Sequence, residues 1–178
     1  GGPEEDYGSC ITVDGNNVFA CGWFAGTATF GSQQTQAAGQ LASYIVKLTK
    51  GGSHVDVATV GATGGVVQIM DMVADSGTVY ATGHTIGNAQ FGTQQVGGSG
   101  ANDRIIFVAE LGSNNQWSWA TGSTSGAYQT ARSIDMTGQG SLAIAGTFAS
   151  VTSDGYVAQS GSAAFGSYTI SSTYMGMV

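Results

Sequence analysis

The sequence predicts an all-β fold of about three tandem units, each with four antiparallel strands, and three observations predict it. First, the chain repeats itself. The stretch Ile11-Thr12-Val13-Asp14-Gly15-Asn16-Asn17-Val18-Phe19-Ala20-Cys21-Gly22 falls on Met72-Val73-Ala74-Asp75-Ser76-Gly77-Thr78-Val79-Tyr80-Ala81-Thr82-Gly83, 61 positions on. The register then holds without a gap, with Gly26, Ala28, Phe30, Gly31, Gln33 and Gln34 landing on Gly87, Ala89, Phe91, Gly92, Gln94 and Gln95. Second, apolar residues alternate with period two between clusters of Gly, Asn, Asp and Ser. Third, no stretch carries a helical period, and Gln33 to Leu41 is too polar and Gly-interrupted for a stable helix.

Four strands are predicted per unit. The first is Tyr44 to Leu48, matched by Ile106 to Leu111. The second is Val55 to Thr59, matched by Trp117 to Thr121. The third is Gln68 to Ala74, matched by Ala131 to Met136 and Ser9 to Val13. The fourth is Thr78 to Thr82, matched by Ser141 to Ala145 and Asn17 to Cys21. A third copy follows from Ile134, Leu142 and Gly146, and its Phe165-Gly166 comes after an insertion of 11 residues in the loop Ala149 to Ser160. The whole chain, 1–178, then reads as one repeat region: a partial first copy 1–43, a second 44–105, a third 106–173, and the start of a further strand 174–178. Four strands at this period are the pattern of β-propeller blades, with a closed three-repeat all-β fold as the alternative.

Turn chemistry fixes the register of one hairpin per unit. Asp14-Gly15-Asn16-Asn17 and Asp75-Ser76-Gly77-Thr78 place Gly and Asn where a two-residue loop needs positive φ. Asp14 and Asp75 read as turn carboxylates rather than calcium ligands, which would need several more oxygen side chains at alternate positions. With Gly15-Asn16 as the loop, Asp14 opposes Asn17, and counting outward Cys10 opposes Cys21. Two readings of that pair follow: a disulfide, or two small apolar residues packed on a sheet, since Thr82 and Ala145 occupy the place of Cys21 without sulfur.

Composition narrows the function classes. A net charge of -7 with 42% hydrophobic residues excludes a disordered acidic tail. The longest apolar runs, such as Ile105 to Ala109, fall far short of a membrane-spanning helix. Lys47, Lys50, Arg104 and Arg132 form no cluster that could neutralise phosphates, so no nucleic-acid partner is expected.

Several segments resemble the SBBP-type repeat of bacterial seven-bladed β-propellers. They are Asp6-Tyr7-Gly8-Ser9, the run from Asn17 to Phe24, Gly26-Thr27-Ala28-Thr29-Phe30-Gly31, Phe107-Val108-Ala109-Glu110-Leu111 and Trp117-Ser118-Trp119-Ala120. The second strand of the middle copy departs from the pattern, with Val55 and Val57 in place of tryptophans. The resemblance implies secreted or cell-surface proteins without a shared catalytic machinery, and an oxidising compartment in which a Cys10–Cys21 disulfide would be stable.

Candidate chemistry is sparse. His54 and His84 read as single surface histidines, in a turn and at a strand end. No Gly-x-Ser-x-Gly elbow occurs, and Glu4-Glu5-Asp6 reads as a solvated acidic patch. Trp117 and Trp119 alternate with Ser118, so both are predicted on one face, filling the space between neighbouring blades. Asp154 and Tyr156, in the insertion that breaks the repeat, are the candidate interaction loop. The expected role is a non-catalytic extracellular scaffold or adhesive surface element. Its expected partners are further copies, or the remainder of a propeller, joined through open sheet edges. A carbohydrate- or peptide-binding module is the alternative, a polysaccharide-acting enzyme the weakest class, and no cofactor is called for.

Overall fold

The computed structural model describes residues 1–98, 103–124, 128–149, 160–165 and 168–173. The chain is all-β. Its first six strands are β1 (Asp6–Asp14), β2 (Asn17–Phe24), β3 (Thr27–Phe30), β4 (Gln33–Gln36), β5 (Ala42–Thr49) and β6 (His54–Val60). Four of them make an antiparallel sheet in the order β1-β2-β5-β6, while β3 and β4 form a separate hairpin between the second and third strands. The pattern then recurs. Strands β7 (Val66–Asp75), β8 (Thr78–Ile86), β11 (Arg104–Leu111) and β12 (Trp117–Gly122) pair in the same antiparallel order, with β9 (Ala89–Phe91) and β10 (Gln94–Val96) as the inserted hairpin. The third unit opens with β13 (Tyr128–Met136) paired to β14 (Leu142–Ala149), followed by the hairpin β15 (Ser160–Phe165) and β16 (Tyr168–Thr173). Residues 174–178, read as the start of a further strand, lie outside the described residues.

The four-stranded sheets run across the phase of the copies read from sequence, each starting with a predicted third strand, and the amino-terminal pair opens the first of them. One expectation changes here. The first two units each hold six strands rather than four, the extra pair being the short hairpin. That hairpin is specified by a two-residue turn, Gly31-Ser32 or Gly92-Thr93, whose glycines have φ of 58° and 56°.

The units share their irregularities as well as their strands. In all three, the first strand bulges at one place, between Gly8 and Cys10, Ile69 and Asp71, and Ala131 and Ser133. A bulge puts two residues against one, bends the strand and increases its local twist. The residue facing each bulge is glycine. A Cβ on Gly22, Gly83 or Gly146 would collide with the carbonyl oxygen of Tyr7, Gln68 or Thr130. A second shared bulge lies between Lys47 and Leu48, and between Glu110 and Leu111.

The main core fills the junction between the first two sheets. Phe19, Cys21, Ile45, Ala58 and Val60 of the first sheet meet Val67, Ile69, Met72, Val79, Ala81, Phe107 and Leu111 of the second. Burying a side chain such as Ile69 or Leu111 contributes about 1.5 to 3 kcal/mol. Ser43, itself buried, stitches the sheets, donating to Val67 O at 3.0 Å and accepting from Ile69 N–H at 2.8 Å. The inserted hairpins cap one end of their own sheet. Phe30 lies 4.6 Å from Tyr44 by ring centroids in the first unit, and Phe91 lies 5.0 Å from Phe107 in the second.

Candidate functional site

Along the outer strands the two sheets leave a groove between β6 and the loop joining β11 to β12. It comprises a cleft of about 220 Å³ lined by Lys47, Asp56, Gly77, Asn114 and Asn115, and an adjoining one of about 350 Å³ lined by Asp56, Thr59, Gly92, Asn115, Gln116 and Trp117. Asp56 and Asn115 belong to both.

Local sequence builds this groove. Asn115 takes a left-handed backbone, φ 61°, which Asn tolerates best after glycine, and its N–H closes the loop on Gly112 O at 2.9 Å. Its side-chain amide then donates across the junction to Val57 O at 3.1 Å. Asp56 sits opposite Lys47 in the sheet; its Oδ1 accepts from Val57 N–H at 2.8 Å and from the Gln33 amide at 3.2 Å. Trp117 forms the far wall, its indole N–H donating to Thr59 O at 3.1 Å and its ring edge-on to Phe91 at 5.1 Å. Carboxylate, amides and an indole face within one groove offer hydrogen-bonding and stacking groups to a polar ligand.

The two tryptophans do not share a face, contrary to the alternation read from sequence. The bulge between Glu110 and Leu111 places Ser118 as the extra residue, so Trp117 pairs with Leu111 and Trp119 with Glu110. Cross-strand partners lie on the same side of a sheet, so one bulge sends the rings to opposite faces. Trp119 instead donates its indole N–H to Glu110 Oε2 at 2.7 Å, and Ser118 Oγ donates to the same carboxylate.

Cys10 and Cys21 are joined by a disulfide with a Cα–Cα distance of 5.2 Å. The bond lies on the side of the first sheet that faces the second, with Cys21 fully buried. The equivalent pair in the second unit is Asp71 and Thr82. There the Asp71 carboxylate reaches the third unit, accepting from Ser133 Oγ at 2.8 Å and Ile134 N–H at 3.0 Å.

His84 is not a surface residue. It is 3% exposed, facing the third unit from β8, and neither ring nitrogen has a hydrogen-bond partner. Burial first, then the nearby Arg104 and Arg132 charges, lower its pKa to about 3. The imidazole is therefore neutral at physiological pH and is not aligned by a serine or carboxylate as a catalytic base would be. Alternation does not reveal this burial, because Thr82 and Thr85 stand beside His84 on the strand. His54 packs its ring against Gly31 at the hairpin tip. Asp154 and Tyr156, the predicted interaction loop, lie outside the described residues.

Among the described residues, no three His, Cys, Asp or Glu side chains gather as a metal site would require, and no helix is long and apolar enough to cross a membrane. Compared with known protein families and with curated proteins, the chain matches none.

Proposed function

We propose that the chain is a non-catalytic extracellular scaffold built from β-propeller-type units, which acts by stacking sheet on sheet. The observation that carries this reading is the recurrence of one junction. The first strand of each unit packs against the first strand of the next, β1 on β7 and β7 on β13. The links between units recur in parallel: Leu41 bridges Val66 as Arg104 bridges Tyr128. Side chains committed to repeated junctions, and a buried histidine without a hydrogen-bond partner, support this reading. The disulfide supports an oxidising compartment. The test is brief protease treatment of intact producing cells and of their medium, with free thiols alkylated before any reduction. Peptides released without lysis, with Cys10 and Cys21 unalkylated, are expected. Recovery only after lysis, with both thiols modified, would overturn the reading.

The groove favours a second reading, a binding module for carbohydrate or a polar peptide. Trp117 beside Asp56, Asn115 and Gln116 is the aromatic-plus-amide set such ligands use.

A further inference from the structure

The shared register makes the units superimposable residue by residue. Gly22 faces Tyr44 in the first sheet as Gly83 faces Phe107 in the second. From that anchor Ile11, Val18, Ala20, Val46 and Leu48 correspond to Met72, Val79, Ala81, Ala109 and Leu111. In the second sheet these five are the surface that docks on the first sheet, and they are 0–4% exposed. In the third unit Ile134, in the place of Met72, is 5% exposed, whereas Ile144, in the place of Ala81, is 39% exposed. In the first sheet the same face is open. Ile11 is 69% and Val13 55% exposed, and Val18, Ala20, Val46 and Leu48 are only half-buried. The preceding unit thus covers this face across the second sheet and over Ile134 in the third, whereas in the first sheet Ile11 and Val13 lie uncovered.

We propose that the open face of the first sheet seats the third unit of a second copy of this chain, bound head to tail as the first sheet is bound to the second. The proposal rests on the scaffold reading and names its partner. A second copy fits because the cover used at both internal junctions is always the forward face of the same repeat. Within the described residues, the forward face left over belongs to the third unit. Its Asp135, Ala143 and Ala145 are exposed, and they occupy the places that Thr12, Phe19 and Cys21 hold in the first sheet. Small side chains at two of those places leave room for Ile11 and Val13. Because the two faces differ, the contact is heterologous, and repetition produces a ring or a filament rather than an isolated two-fold dimer.

Sedimentation velocity of the full 178-residue chain over a concentration series tests this, with two variants. Ile11→Lys disables the receiving face, with Val13→Lys as a second version should the first unfold; Ala145→Lys disables the donating face. Circular dichroism establishes that each is folded. The wild type is expected to grow in mass with concentration, and each variant alone to weaken association at least about tenfold. Mixed, Ile11→Lys and Ala145→Lys retain one working face each and are expected to form a capped heterodimer that goes no further. A wild type that stays monomeric, association untouched by Ile11→Lys, or a mixture that yields no heterodimer would each overturn the proposal. The scaffold reading is judged separately by the cell-surface and thiol experiment, so a monomeric chain displayed outside the cell would sink the second-copy proposal alone.

Discussion

Asp14, in the first hairpin turn, accepts a hydrogen bond through Oδ2 from the backbone N–H of Gly77, in the equivalent turn of the next unit. The same residue that shapes one turn therefore ties it to the neighbouring sheet. A carboxylate bonded to a part-buried amide contributes about 1 to 2 kcal/mol. Asp14→Ala is expected to lower unfolding stability by that amount in urea titrations. Asp14→Asn, which keeps an acceptor, should recover about half of the loss.

Gly83 tests the shared bulge. Gly83→Ala drives a Cβ into the Gln68 carbonyl, and the backbone must move to admit it. A loss of about 2 to 3 kcal/mol is expected. Gly8, whose added Cβ would meet nothing within 4 Å, is the control. Its alanine variant should stay within about 0.5 kcal/mol of wild type.

The disulfide joins residues with a sequence separation of 11. Closing a loop of that size removes unfolded-state freedom equivalent to about 3 kcal/mol. The double variant Cys10→Ser with Cys21→Ala should lose roughly that much in denaturant titration. Wild type measured in strong reductant should match it. A variant as stable as the oxidised protein would show that hairpin pairing alone holds β1 to β2.

His84 sets a pH dependence whose sign follows from its lowered pKa. Folding excludes the proton that the unfolded chain accepts near pH 6.5, so the unfolded state binds more protons between that pH and about 3. Stability is full above the unfolded value and falls as pH drops through this window, by up to about 1.4 kcal/mol per pH unit. Carboxylates begin to titrate near the lower end, so the clean comparison is pH 7 against pH 5. His84→Gln is expected to flatten the slope there.

The groove reading predicts that a polar oligosaccharide or peptide, once found by array screening, loses affinity in Asp56→Asn and Asn115→Gly. The glycine keeps the left-handed backbone, so the loop survives while the amide is removed. Unchanged binding in both variants would place the ligand elsewhere.

What was legible in the sequence was whatever obeys a period. The four main strands follow from alternation, and the offset between Cys10 and Cys21 follows from counting out of a two-residue turn. What escaped was whatever breaks a period. The bulge at Ser118 turned Trp119 away from Trp117. Strands as short as Gln94–Val96 carry too few residues for alternation to register, although the repeated Phe-Gly-x-Gln-Gln at Phe30 and Phe91 marked both turns. His84 escaped because its burial is imposed by the packing of the next unit, which local composition does not encode.

The inserted hairpins carry a consequence for change in length. In each unit the first two strands have completed their pairing before the chain enters the hairpin, by a joint of two residues between Phe24 and Thr27 or between Ile86 and Ala89. Extra residues at that joint shift no ladder and reverse no side chain. In the sequence of the third copy the 11 added residues fall between Gly146 and Phe165, the stretch that holds this joint in the other units. The joint is thus a natural port: foreign peptides spliced after Ala25 or Gly87 should be displayed on an unaltered frame, whereas the same insertion inside a hairpin turn would scramble it.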